Sequence, residues 1–405
     1  MKHHTTTPSP DGLNRRDALL LTVLASAVSL AGGGGGAGSG VAGVSSGGTG
    51  SFSTGSISGF GSIIVGGIRF DDSKASSIVD IDDDNRDLRG QLKLGMVVRV
   101  KGKPKIGTNA DAETIEVRSE LLGPVDSIDT ANKQLKVLGQ TVNVTATTFF
   151  EDGPAGLALL ALLAINEIVE IHGFVDPVNN AMTATRIERK LLANVKAFKL
   201  QGTISAFDAT TFKIGELVIG FATPMDIPTS LVLANGLLVR VQLAVTPLKE
   251  TRKALKIRLV AVEIAERDEA EVEGTITVFT STSRFSVNGQ PVDASDAVVP
   301  AGLKVGDRVE VEGSLVKGIL VAKQVKLEDE KDPLKFELHG TISRLLNTAT
   351  VKTFVLRNVT VDFSNATFSN GIASGLKDGI SIVEVKGVAS TANGSTITAI
   401  RISFE

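Results

Sequence analysis

The chain has 405 residues, a formal net charge of −3 and 42 Gly, with no Cys, Trp or Tyr. Hydrophobic residues make up 42% against 21% charged, which excludes a wholly disordered chain, and the near balance of 42 Lys and Arg with 45 Asp and Glu supplies no general attraction to nucleic acid or anionic lipid. Phe is the sole aromatic, so Tyr and Trp stacking platforms are missing, and the lack of thiols excludes disulfides and thiol redox chemistry.

Residues 1–31 read as an export signal peptide. Lys2, Arg15 and Arg16 precede the apolar run Ala18–Ala31, and small residues follow, which is the order of a cleavable secretory segment. The run is shorter than the roughly 20 residues a spanning helix needs, so no stable transmembrane anchor is expected after cleavage. The string Asn14-Arg15-Arg16-Asp17-Ala18-Leu19-Leu20 resembles a twin-arginine signal, with Ala18 where Phe is common, and the Sec route stays open. Cleavage is expected after Ala31 or Ala27, each preceded by small residues. Leu30-Ala31-Gly32-Gly33 has the form of a lipoprotein processing box with Gly33 in place of the lipidated Cys, so a soluble mature protein is expected. Glycine makes up half of residues 32–55, and side chains that repay ordering entropy are scarce there. Residues 32–54 are therefore expected to form a flexible Gly/Ser-rich linker.

From Gly55 onward one phrase, Gly-x-(Ile/Val)-x-x-apolar, recurs at Gly55, Gly123, Gly202, Gly274 and Gly340, at spacings of 68, 79, 72 and 66 residues. A hairpin follows, clearest around Asn288-Gly289, where both residues tolerate the positive φ of a type I′ turn; Gly66-Gly67 holds that place in the first copy. Next comes Gly-x-x-Val-x-Val-x-Gly, as in Gly95, Val98, Val100 and Gly102 or Gly306, Val309, Val311 and Gly313. Its period of two predicts a half-buried strand. Leu243 replaces the last Gly in the third copy. A closing Ala-x-x-(Ile/Val), such as Ala112 to Ile115, ends each copy. Leu157–Ile165, apolar nearly throughout, is expected to be a short buried helix across one barrel end.

These phrases predict an all-β protein of five tandem small closed or partly closed barrels, OB-like in kind, because closure hides edge strands. The units are 55–120, 121–197, 198–269, 270–334 and 335–405, expected to pack end to end in an extended array, since about 70 residues bury little surface alone.

The opening Gly55-Ser56-Ile57-Ser58-Gly59-Phe60-Gly61-Ser62-Ile63-Ile64-Val65-Gly66-Gly67-Ile68-Arg69-Phe70, with the later Leu92-Lys93-Leu94-Gly95-Met96-Val97-Val98, resembles domain-of-unknown-function family 5666 of exported bacterial proteins. The likeness runs through all five units and is tightest in the first and fourth. It implies an export or lipoprotein signal, a Gly-rich spacer and tandem small β domains, and it carries over no catalytic residue. The absent lipoprotein Cys is this chain's departure.

Candidate chemistry is sparse. His172 and His339 fall where other copies carry unrelated residues, such as Lys101, Gln242, Glu312 and Lys386 opposite His172, so neither is expected to be catalytic or metal-binding. Asp80-Ile81-Asp82-Asp83-Asp84-Asn85 starts like a calcium loop but has Asn85 at the sixth position and Gln91 at the twelfth, so a solvated hairpin turn is expected. No serine-hydrolase elbow or His-Glu-x-x-His helix occurs, and carboxylates such as Asp307 and Glu310 leave a carboxylate-based hydrolase as a third reading. Arg186, Arg189, Lys190, Lys196 and Lys199 cluster with only Glu188 between them, a candidate anion-binding patch; Lys249, Arg252, Lys253, Lys256 and Arg258 form a second cluster. The expectation is a non-catalytic exported protein, periplasmic or at the cell surface, that binds or scaffolds an envelope protein or glycan without metal or cofactor. The alternative is recognition of an anionic glycan or other polyanion by the 186–199 patch.

Overall fold

A computed structural model gives the architecture of the protein, describing residues 50–405 apart from 152, 155–159, 177–180, 222–226, 229–230, 247–250, 261–262, 264, 329–334 and 390–395. The signal segment and most of the expected linker lie outside the described residues. What is described is all-β, with short 3-10 turns such as Asp72–Lys74 and Leu192–Asn194. No helix among the described residues is long and apolar enough to cross a membrane.

The first segment holds β1 (Ser51–Phe60), β2 (Ile63–Val65), β3 (Ile68–Asp71), β4 (Ser77–Asp80), β5 (Arg86–Asp87), β6 (Val97–Gly102) and β7 (Asn109–Val117). β1 pairs antiparallel with β2, and β2 with β3; β3 and β4 run parallel to β7; β7 pairs antiparallel with β6, and β6 with β1. The hydrogen bonding thus closes into a small barrel, which removes free edges. In the second segment, β8 (Leu121–Asp129), β9 (Gln134–Val137), β10 (Gln140–Asn143), β11 (Phe149–Phe150), β12 (Gly153–Pro154), β13 (Ile168–Asp176) and β14 (Ala181–Lys190) close in the order β8, β9, β10, β14, β13 and back to β8.

The third has β15 (Phe198–Thr203), β16 (Thr211–Ile214), β17 (Leu217–Gly220), β18 (Leu238–Leu243) and β19 (Thr251–Leu259), with the bridge Ser205–Lys213 joining the chain after β15 to β16. The fourth has β20 (Arg267–Ser281), β21 (Arg284–Val287), β22 (Gln290–Asp293), β23 (Arg308–Val316) and β24 (Ile319–Leu327), again closed by β20 against β23. The last has β25 (Lys335–Thr341), β26 (Ser343–Asn347), β27 (Lys352–Leu356), β28 (Val359–Asp362), β29 (Thr367–Ser369), β30 (Ile382–Ala389) and β31 (Thr396–Phe404). There β28 and β29 run parallel to β31, β31 pairs with β30, and β30 with β25.

The recurring valine phrase explains the interiors. Val98 and Val100, Val169 and Ile171, Val239 and Val241, Val309 and Val311, and Val383 and Val385 are all buried, as alternation requires. Each of these strands shifts register at the residue after the phrase, between Lys101 and Gly102, His172 and Gly173, Gln242 and Leu243, Glu312 and Gly313, and Lys386 and Gly387. At the bulge the backbones crowd: a Cβ on Gly173 would lie 2.1 Å from the Thr183 carbonyl oxygen, and one on Gly313 2.0 Å from that of Val321. The predicted hairpin is also present, with Asn288 and Gly289 at φ 47° and 83° between β21 and β22.

Three expectations are corrected. Residues 51–54 are strand rather than linker, because β1 bonds on both sides, to β6 and to β20, and Phe52 is only 1% exposed in the core of the fourth segment. The segments do not stack in chain order: β1 runs parallel to β20 and further along to β25, so the first, fourth and fifth segments share one hydrogen-bonded network and the second and third another. The extended array is replaced by this branching because one long strand offers two bonding edges along its length. Finally, residues 155–159 of the apolar run lie outside the described residues, and the remainder forms no α-helix: Leu160 and Leu163 are buried, Leu162 and Ile165 exposed.

Candidate functional site at the charged junction

The 186–199 cations meet their partners from distant sequence. The turn between β4 and β5 is the expected hairpin, exposed at Asp84 and Asn85, but its first residue is not solvated: Asp80 is buried, and Lys199 Nζ on β15 lies 2.8 Å from its Oδ2. Lys199 is also 3.6 Å from Glu170 on β13, Glu170 is 2.8 Å from Lys190, and Lys190 is 2.8 Å from Glu188, both on β14. Arg186 completes this alternating row, its Nε donating to Glu188 at 2.7 Å. The guanidinium, 1% exposed, also donates to the carbonyls of Leu94 and Glu151, tying the second barrel to the first.

Of the remaining members of the expected patch, Arg189 lies 3.8 Å from both Glu151 and Glu167 with its guanidinium over the Phe150 ring, and the exposed Lys196 is 3.2 Å from Asp83. A cavity of about 450 Å³ at this junction is lined by Asp80, Asp82, Asp83, Asp84 and Glu170 against Arg86, Arg189, Lys190, Lys196 and Lys199. Arg186 does not line it, facing a separate cavity of about 260 Å³ with Lys93 and Arg357. The expected anion-binding patch is therefore corrected: its cations are split between two cavities and matched by carboxylates that proximity in sequence does not reveal.

Arg240, which sequence reasoning passed over, holds the first and third barrels together. Its Nη1 donates to Glu120 Oε2 at 3.0 Å and Gln201 Oε1 at 2.7 Å, while Nη2 donates to the Ser119 carbonyl and pairs with Asp82. Gln242 Nε2 adds a 2.6 Å bond to the Asp82 carbonyl. A signal existed: Arg240 is the residue between the two valines of the strand phrase, the place held by Arg99, Glu170, Glu310 and Glu384 in the other copies. Alternation turns that position outward, toward whatever barrel packs there.

Burial would raise the carboxyl of Glu170, but Lys190, Lys199 and His172 outweigh it and hold it at about 2; burial would raise Glu188 as well, but Arg186 and Lys190 outweigh it and hold that carboxyl well below the ordinary range. Lys190, despite burial, is raised by Glu170 and Glu188. Burial pushes His172 below the usual imidazole value; its Nδ1 is 2.9 Å from the Arg118 carbonyl and 3.3 Å from the Val97 amide. General acid–base work at neutral pH needs a proton that can come and go, and the row has shifted its groups the other way. The carboxylates Asp307 and Glu310 are each engaged by lysine, Lys304 at 2.8 Å and Lys326 at 2.6 Å. His339 Nε2 pairs with Glu405 at 2.7 Å.

No curated protein matches the chain. A solved structure, drosophila Unr CSD456, aligns at 15% identity over 52% of this chain and 98% of that one, with a TM-score of 0.14. Residues 123–188, 273–326 and 339–403 match the family model described as Domain of unknown function (DUF5666), and these three segments of the chain belong to that family.

Proposed function

We propose that the chain is a non-catalytic exported scaffold of the cell envelope, built from five copies of one OB-like barrel, that presents polar faces to an envelope protein or glycan. The observation carrying this reading is the use of charge: the buried ionisable groups Arg186, Lys199, Arg240, Glu120 and Glu170 join one segment to another through direct ion pairs and hydrogen bonds. Closed strand pairing in the first, second and fourth segments, with the same valine phrase in all five, supports the repeat, and the n-region, apolar run and small residues before Ala31 support export. A rigid body made this way holds its outer faces at fixed distances, which suits a scaffold. Chemical cross-linking of native envelopes, followed by recovery of the mature chain, is expected to yield a discrete partner band; recovery of the chain alone from every envelope fraction would reject the scaffold.

One observation favours a polyanion ligand as the second reading. A cavity of about 280 Å³ is lined by Arg118, Lys199, Arg240, Lys256 and Arg258 against the single carboxylate of Asp82. Substituting Lys256 and Arg258 by Gln lowers salt-sensitive retention on an acidic polysaccharide column if that reading holds, whereas substituting Arg186, Arg189, Lys190 and Lys196, which do not line this cavity, leaves it unchanged. Equal retention of all variants rejects it.

A further inference from the structure

We propose that Glu271, Glu310 and Glu312 form a binding site for a divalent cation of the calcium class where the fourth barrel meets the first. The register between β20 and β23 sets Glu271 opposite Glu312 and Glu273 opposite Glu310, and the alternate residues Val272, Val309 and Val311 fill the core, so the four carboxylates share the outer face. Glu273 is occupied, accepting from Arg308 and from the Ser56 amide at 3.0 Å. One oxygen from each of the other three lies within 4.8 Å of the rest. Oxygens on opposite sides of a calcium ion, each at about 2.3–2.6 Å, are about 5 Å apart or less, so all three can bind one ion without rearrangement. Magnesium, at about 2.1 Å, demands a tighter set.

The second observation is Glu271 itself. It is 7% exposed, and among the described residues no donor reaches its carboxylate. Lys326 bridges Glu310 at 2.6 Å and Glu312 at 2.5 Å and makes no ion pair with Glu271. Ser53, opposite Glu271 on β1, gives its hydroxyl to the Val65 carbonyl instead, 3.1 Å away. The β2–β3 turn covers the group closely: a Cβ on Gly66 would lie 2.4 Å from Glu271 Oε1. A carboxylate removed from water without a hydrogen bond is costly as an anion. Burial, with Glu310 and Glu312 beside it, accordingly pushes its carboxyl up to about 9, against the weaker pull of Lys326. A divalent cation takes one oxygen from each glutamate and completes its shell with water, while the exposed Lys326 ammonium swings into solvent.

Isothermal titration of the full chain with calcium chloride at pH 7 tests this. The expected result is one site, at least tenfold weaker binding in Glu271→Gln, and tighter binding in Lys326→Met, where the competing ammonium is gone. Absence of binding to calcium, manganese or magnesium at millimolar concentration overturns the proposal. So does calcium affinity unchanged in Glu271→Gln. Far-UV circular dichroism checks the fold of each variant, and should Glu271→Gln fail to fold, Lys326→Met decides: unchanged affinity there overturns the site.

Discussion

Replacing Arg240 by Met tests whether the first and third barrels are held by that one guanidinium. Arg240 is paired with both Glu120 and Asp82, the two distances free of crowding being 3.0 Å to Glu120 and 3.3 Å from Nε to Asp82 Oδ1. Burial raises the carboxyl of Glu120 even with the arginine present, whereas Asp82 is held low because Arg240 and Lys199 outweigh burial. Truncation strands both acids, and breaking a buried pair costs about 3–5 kcal/mol. The sign with pH follows. Without the guanidinium, burial is less opposed at both carboxyls and raises them, so above the ordinary values of 4.5 and 3.8 ionisation favours the unfolded chain and the deficit grows with pH. It is small near pH 4 and full at pH 7. Lacking Trp and Tyr, the chain is best followed by far-UV circular dichroism in urea. The triple change Arg240→Met, Glu120→Met and Asp82→Asn should restore most of the loss, since no uncompensated charge remains. A single-variant deficit under about 1 kcal/mol at pH 7, or one that does not vary with pH, would refute the assignment of the junction to this ion pair.

Two further perturbations have defined outcomes. Glu170 has a folded-state carboxyl at about 2 against 4.5 when free, so its contribution is complete above 4.5 and is lost as pH falls toward 2. Glu170→Gln should therefore lose about 3 kcal/mol at pH 7 and match the parent near pH 2 in urea titrations; a constant difference across that window would contradict the pairing with Lys190 and Lys199. Gly66→Ala meets both a left-handed φ of 56° and the Glu271 carboxylate, whereas Gly67→Ala, at φ 72°, meets nothing within 4 Å. The first should lower the thermal midpoint more than the second, whose cost is the backbone term alone, about 1 kcal/mol. Equal midpoints would mean that the turn does not seat against Glu271.

What could be read from the sequence and what could not divides along a physical line. Interiors repeat, so they are legible: the buried valines recur every second residue, and the glycine that closes four of the five phrases sits where the chains at a bulge crowd the place a Cβ would take. Neighbours do not repeat. Ser51-Phe52-Ser53-Thr54 carries one large apolar side chain among small polar ones, too little to mark a strand, because its order comes from main-chain bonds to β6 on one side and β20 on the other. The same applies to charge. Arg186 to Lys199 reads as a positive cluster along the chain, yet Lys199 meets Asp80, which is 119 residues away, and Arg240 meets Asp82 at a separation of 158. Residues turned inward obey one rule in all copies, while the outward place between the valines, held by Arg99, Glu170, Arg240, Glu310 or Glu384, answers to a different partner in each. Two arginines and three glutamates at that place take partners that the repeating phrase does not encode: Arg240 meets Asp82 and Glu120 of the first segment, Glu384 lies 3.6 Å from Arg69, and Glu310 takes Lys326 of its own hairpin.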